Sequence, residues 1–194
     1  VERKEPNDNR RRFLGVATGF VAGVGVMGAA IPFIGSWQPS AKAKAIGAPV
    51  QVNVDKIEPG EMVSVAWQGK PVFLLRRTEE SLAILESEEH LGQLRDPASD
   101  INNQPEYTKN NTRSIRPEIL IVVGICTHLG CVPEYRANGM IGVIHSLYFC
   151  PCHGSKFDLA GRVYKGVPAP TNLIVPPHTY IIGKIFFVYA RQLS

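Results

Sequence analysis

Residues 13–40 carry no charged side chain, and about 20 predominantly apolar residues suffice to cross a bilayer as a helix. The pattern predicts one transmembrane anchor over residues 13–37, with Trp37 at the membrane interface. Arg10, Arg11 and Arg12 stand directly before it, so the positive-inside tendency places residues 1–12 in the cytoplasm and everything after the anchor outside. Gly15, Gly19 and Gly23 put small residues on one helical face, which suits either a packed partner helix or the glycine-rich make-up of an export signal. Pro32 should kink or end the last turns.

Behind the anchor, residues 38–50 are small, alanine-rich and bounded by prolines, the composition of a flexible hinge. The pattern then changes period. Residues 50–54 and 62–67 alternate apolar and polar positions, and Gln68-Gly69 separates the second run from residues 70–75, which predicts a hairpin. Thr78 followed by Glu79 and Glu80 predicts a capped helix running to about residue 94, with Glu86, Glu88, Glu89 and His90 on its solvated face. Residues 95–117 are polar and turn-rich, the signature of a surface loop. Residues 119–123, 140–144 and 147–149 read as strands, and residues 180–190, interrupted at Gly183-Lys184, as a closing hairpin.

The fold class expected is therefore mainly β: a single N-terminal transmembrane helix followed by an antiparallel β-sandwich over residues 51–194. A small subdomain at about residues 124–170 should carry the chemistry. The formal net charge of +4 is small and much of it sits in the first twelve residues, so nothing argues for nucleic-acid binding. Arg10-Arg11-Arg12-Phe13-Leu14 also reads as a twin-arginine signal, the route for proteins exported already folded. Ala41-Lys42-Ala43 and Ala43-Lys44-Ala45 imitate a cleavage site, leaving open whether the anchor is retained.

All four cysteines and two of the five histidines fall in two short stretches, Cys126-Thr127-His128-Leu129-Gly130-Cys131 and Cys150-Pro151-Cys152-His153-Gly154-Ser155. Each offers one Cys and one His at metal-ligand spacing, together with one further Cys. A zinc site of two cysteines and two histidines would use four of the six residues and strand Cys131 and Cys152, whereas an all-cysteine site would strand both histidines. A [2Fe-2S] centre with two Cys on one iron and two His on the other is the alternative. His145 and His178 lie outside these spacings and read as surface or hydrogen-bonded structural histidines.

The strings CTHLGC and CPCHGS resemble those of the Rieske iron-sulfur subunit of cytochrome bc complexes, and the likeness extends to Leu94-Arg95-Asp96-Pro97 and to Gly166-Val167-Pro168-Ala169-Pro170. The resemblance implies a Rieske-type β-sandwich in which Cys126 and Cys150 hold the inner iron of a [2Fe-2S] cluster and His128 and His153 the outer. It makes Cys131 and Cys152 a disulfide, gives cluster-tuning positions to Leu129, Gly130, Gly154, Ser155 and Phe157, and makes Pro168, Ala169 and Pro170 a loop that shields the cluster. Ser155 would donate its hydroxyl hydrogen bond to a bridging sulfide, and backbone amides around Gly130 and Gly154 would donate to sulfurs. Phe157 departs from the pattern: many relatives carry a tyrosine there, whose hydroxyl this chain lacks.

The same resemblance implies the function, electron transfer from ubiquinol to a c-type cytochrome. His153 would accept a hydrogen bond and a proton from quinol at the outer face of a cytochrome b subunit, and the head would then swing on its hinge to the c-type cytochrome. The setting implied is a dimeric complex in a bacterial inner membrane, with the head periplasmic. Two other readings remain open here: the small Rieske subunit of a periplasmic oxidase such as arsenite oxidase, and a zinc-stabilised interaction domain.

Overall fold

The computed structural model describes residues 7–40, 50–101, 103–140, 142, 145–181 and 184–187. The chain divides into two compact units, residues 1–45 and 46–194.

Among the described residues the first unit holds one helix, α1 (Asp8–Ser36), with mean hydropathy 1.9 and no buried residue in the helix. It begins before the uncharged run because Asn7 caps it: the Asn7 Oδ1 accepts a hydrogen bond from the Arg10 amide at 3.3 Å, and Asp8 sits in the first turn, where the helix dipole favours a negative charge. Pro32 does not end the helix, which continues to Ser36 with Trp37 as an exposed C-cap. Most of the expected hinge, residues 41–49, lies outside the described residues.

Among the described residues the second unit holds three antiparallel sheets of three strands each. In chain order the strands are β1 (Gln51–Asn53), β2 (Met62–Trp67), β3 (Lys70–Arg76), β4 (Ile119–Val123), β5 (Glu134–Arg136), β6 (Leu147–Phe149), β7 (Lys156–Phe157), β8 (His178–Ile181) and β9 (Lys184–Phe187). Their sheet orders are β1-β9-β8, β2-β3-β4 and β5-β6-β7. The predicted hairpin forms between β2 and β3, where Trp67 faces Lys70 across the turn.

Strand β4 is buried at all five positions, and the period of two in a strand sends its side chains to two different cores. Ile119 and Ile121 join Leu74, Val72 and Ile185 in one apolar cluster, whereas Leu120 and Val122 join Phe73, Leu75, Phe157 and Leu173 in the other. The middle sheet is thus a shared layer. On one side it packs against the sheet of β1, β9 and β8, giving the expected sandwich. On the other it carries the β5-β6-β7 sheet and the cysteine loops.

Several expectations need correction. The helix predicted from Thr78 to about residue 94 is two helices, α2 (Glu79–Glu86) and α3 (Glu88–Gly92). Ser87 is extended and serves both: its amide caps the end of α2 on the Ile84 carbonyl, and its side chain caps the start of α3 by accepting from the His90 amide. His90, in α3, is buried against Asp158 rather than lying on a solvated face. Strand β5 went unpredicted, since three residues are too few for periodicity to register. The strand expected at residues 140–144 lies partly outside the described residues, and Met140 belongs to no named strand. The closing hairpin is described as β8 and β9, with residues 182–183 and 188–190 outside the description.

Candidate metal centre

The first cysteine loop leaves the end of β4, and the second joins β6 to β7. Their backbones repeat one hydrogen-bond pattern. In the first, the Cys126 amide donates to the Cys131 carbonyl at 2.7 Å and the Gly130 amide to the Cys126 carbonyl at 3.0 Å. In the second, the Cys150 amide donates to the Ser155 carbonyl at 2.8 Å and the Gly154 amide to the Cys150 carbonyl at 2.9 Å. Gly130 and Gly154 hold φ of +84° and +79°, with open space where a Cβ would lie, so glycine is required for conformation rather than for room. Because both glycine amides close their own loops, any amide donor to sulfur must come from their neighbours.

Cys131 and Cys152 form a disulfide that ties the loops together. The sulfurs of Cys131, Cys150 and Cys152 lie within 4.8 Å of one another, but the bridge consumes the first and third as metal ligands. Cys126 and Cys150 are free and each is only 2% exposed. Burial pushes the Cys126 thiol up, while hydrogen bonds from the His128 amide and from Ser155 favour its thiolate. The rings of His128 and His153 stand edge to face, 4.7 Å between centroids. The His128 Nδ1 is buried with no hydrogen-bond partner, and His153 is exposed.

Two buried thiols and two adjacent imidazoles carried by the same two loops, one with an orphaned ring nitrogen, match the donors of a [2Fe-2S] centre of Rieske type, two thiolates and two neutral imidazoles. An unpaired buried ring nitrogen carries an energetic penalty unless something ligates it. The donor set therefore fits the group.

A family model described as "Rieske [2Fe-2S] domain" matches residues 100–178, and one described as "Ubiquitinol-cytochrome C reductase Fe-S subunit TAT signal" matches residues 2–40. The ubiquinol-cytochrome c reductase iron-sulfur subunit of Allochromatium vinosum is 50% identical over 183 residues, covering 90% of this chain and 86% of the relative. The chain belongs to the Rieske iron-sulfur subunits of ubiquinol-cytochrome c reductases. The Bradyrhizobium diazoefficiens subunit is 40% identical over 89% of both chains. A solved chain titled "Hyperthermophilic respiratory Complex III" covers 88% of this one at 24% identity with a TM-score of 0.49. As a Rieske subunit the protein carries a [2Fe-2S] domain and is membrane-anchored through its twin-arginine helix.

The remaining residues singled out from sequence take these places. Ser155 is fully buried and its Oγ accepts a hydrogen bond from the Ala169 amide at 3.0 Å, which brings the proline loop against the second cysteine loop. Pro168 and Pro170 are exposed to either side of buried Ala169. Leu129 is 71% exposed. Phe157 is fully buried, paired in register with Tyr148. His178 is a hydrogen-bonded structural histidine, its Nδ1 at 2.8 Å from the Pro176 carbonyl.

Sequence reasoning missed the groups that seat the proline loop. Thr127 donates to the Thr171 carbonyl at 2.7 Å, and Asn172 is wholly buried, accepting from the Val163 amide at 2.8 Å and donating to the Asp96 carbonyl at 3.0 Å. Thr127 had a signal, a hydroxyl between two candidate ligands; Asn172 had none.

Proposed function

We propose that Cys126 and Cys150 hold one iron of the cluster and His128 and His153 the other, and that the protein carries electrons from ubiquinol to a c-type cytochrome within a dimeric cytochrome bc complex. The observation that supports this best is the pairing of two disulfide-tied loops of equal backbone pattern, each presenting one free cysteine and one histidine. When bound, the cluster supplies reversible acceptance of one electron, at a potential that in Rieske centres extends up to about +300 mV.

The chain's own residues provide access and insulation. Cys126 and Cys150 face the apolar core with Phe157 and Leu173, away from water. His153 is the exposed member of the set, so its ring is the group that a quinol hydroxyl can reach; it accepts the hydroxyl's hydrogen bond and the proton leaves as the electron does. Leu129 and Val132, in and just after the first cysteine loop, are exposed apolar side chains suited to a hydrophobic quinol-oxidation site on the outer face of cytochrome b. Residues 38–50 serve as the hinge on which the head moves to the c-type cytochrome. Residues 1–12 are cytoplasmic and the head periplasmic, the orientation favoured by Arg10, Arg11 and Arg12 in the first turns of α1.

Purification of the full chain from membranes in mild detergent tests this reading. Two irons and two labile sulfides per chain, reduction by a quinol, and recovery with haem-bearing b- and c-type cytochromes are expected. A colourless protein holding zinc, or an iron-sulfur protein recovered with a molybdenum-bearing oxidase subunit, would overturn it.

A further inference from the structure

The segment Leu94-Arg95-Asp96-Pro97 has no part in the redox chemistry described so far, yet it grips the proline loop at both ends. At the start of the loop, the Arg95 guanidinium donates to the Val167 carbonyl at 2.8 Å and the Arg95 amide to the Val163 carbonyl at 2.9 Å. At its end, the buried Asn172 side chain donates to the Asp96 carbonyl at 3.0 Å and to the Ser99 Oγ at 2.9 Å. Between the two grips lies Ala169, whose amide donates to the Ser155 Oγ at 3.0 Å.

That last bond fixes a direction. A serine hydroxyl has one proton and two lone pairs, and an amide N-H can only donate. With Ala169 donating to the oxygen, the fully buried Ser155 proton must point elsewhere, and the group on its other side is the sulfur-bearing site enclosed by its own loop, where the Ser155 carbonyl accepts from the Cys150 amide. Donation into one end of a hydrogen-bond chain polarises the next bond and strengthens it. A donor to a sulfur of an iron-sulfur centre in turn raises its potential.

We propose that residues 94–99 act as a clasp that seats the Ala169 amide on Ser155, and that Arg95 and Asn172 are thereby positioning residues that raise the reduction potential from outside the cluster loops. The proposal rests on the cluster assignment above and adds a route by which loop position sets potential. Loosening either grip lets the amide withdraw, frees the serine proton to rotate, and removes stabilisation from the reduced state.

The test is a double-variant cycle on the full chain in detergent, with the potential read by redox titration and loop opening by hydrogen-deuterium exchange of peptides spanning residues 166–171. Arg95→Met keeps the length and removes the donor, Arg95→Lys restores a cation, and Asn172→Asp removes the donor at the other end. In Arg95→Met, exchange in the loop should rise severalfold and the potential fall, with Arg95→Lys recovering part of both. In a Ser155→Ala background, Arg95→Met should still speed exchange but no longer move the potential. A potential unchanged in both Arg95→Met and Asn172→Asp, or an Arg95→Met shift that persists undiminished without Ser155, would overturn the clasp while leaving the cluster assignment intact. An unsubstituted protein without the reduced-state paramagnetic signal would instead overturn the cluster assignment itself.

Discussion

Two places in the head bury polar or titratable side chains, and they end in opposite states. Behind the middle sheet, Arg113 is fully buried and all five of its N-H donors are matched, to Gln104, Asn103 and the carbonyls of Ala160, Gly161 and Leu173. Asp158, equally buried, accepts from Arg162 at 2.7 Å and meets the His90 Nε2 at 3.0 Å. In the cysteine loops, by contrast, the buried thiols are free and the His128 Nδ1 has no partner. Charged groups paired with one another are architecture, and free thiols in loops that also carry an unpaired ring nitrogen are a site. Two atoms of the rear network, Arg77 Nε and His90 Nδ1, are also unpaired; their residues line a polar cavity of about 440 Å³, room enough for solvent.

The sharpest way to break this contrast is to remove one member of each set. Cys150→Ser should abolish iron binding outright while the head keeps its β-sheet signal, because the bonds by which Cys150 holds its loop, to the Ser155 carbonyl and from the Gly154 amide, are backbone ones that serine keeps. Iron analysis and circular dichroism on one sample check it. Unfolding on loss of the thiol would show that the loops are architectural too.

Asp158→Asn should do the reverse. Stranding buried Arg162 destabilises a protein by about 3–5 kcal/mol, read as a fall in denaturant midpoint. The same carboxylate makes a pH prediction. Burial alone would raise it, but Arg162, His90 and backbone donation outweigh burial and hold it at about 2, below the ordinary value of about 3.9. A depressed carboxylate stabilises the fold above its unfolded value and ceases to do so as pH falls through its folded one. Stability from this group should therefore persist down to about pH 4 and drain away toward pH 2, and Asp158→Asn should flatten that part of the profile.

The disulfide stands between the two sets, structural in its bond and close to the site. Cys131→Ser opens a link between positions 21 residues apart, and bridges over such spans typically contribute about 2–4 kcal/mol. Loss of thermal resistance and faster release of iron are expected together. Unchanged values for both would remove the bridge from the account.

The difference between the two regions also explains what the sequence could reveal. The cysteine loops were legible because candidate ligand, glycine and serine positions lie within six-residue strings whose spacing is itself the signal. Strand β4 was legible because five consecutive apolar residues mark a strand covered on both faces. The Arg77 guanidinium reaches the Leu159 carbonyl across 82 residues, and no local pattern encodes such a pair. The break at Ser87 stayed hidden for another reason. Apolar periodicity continues through it, and only the cap geometry divides α2 from α3.

The smallest effect expected sharpens the contrast within the site itself. Ser155 has a hydroxyl to offer the sulfurs and Phe157 has none. A hydrogen bond to a charged group is worth about 1.5–3 kcal/mol, and a one-electron step converts about 1.4 kcal/mol into about 59 mV. Phe157→Tyr should raise the potential by several tens of millivolts and Ser155→Ala lower it comparably, in paired titrations at one pH. No rise in a tyrosine variant with an intact cluster would mean that position 157 is core packing only.

The central claim is that the orphaned His128 nitrogen and its neighbour His153 ligate iron together with Cys126 and Cys150. Nitrogen hyperfine spectroscopy on the reduced full-length protein, with histidines isotopically labelled at nitrogen, reads that ligation directly. The account predicts two strongly coupled histidine nitrogens on a two-iron paramagnetic centre, with one coupling lost in any His128 variant that retains iron. A two-iron signal without strongly coupled histidine nitrogen would contradict it.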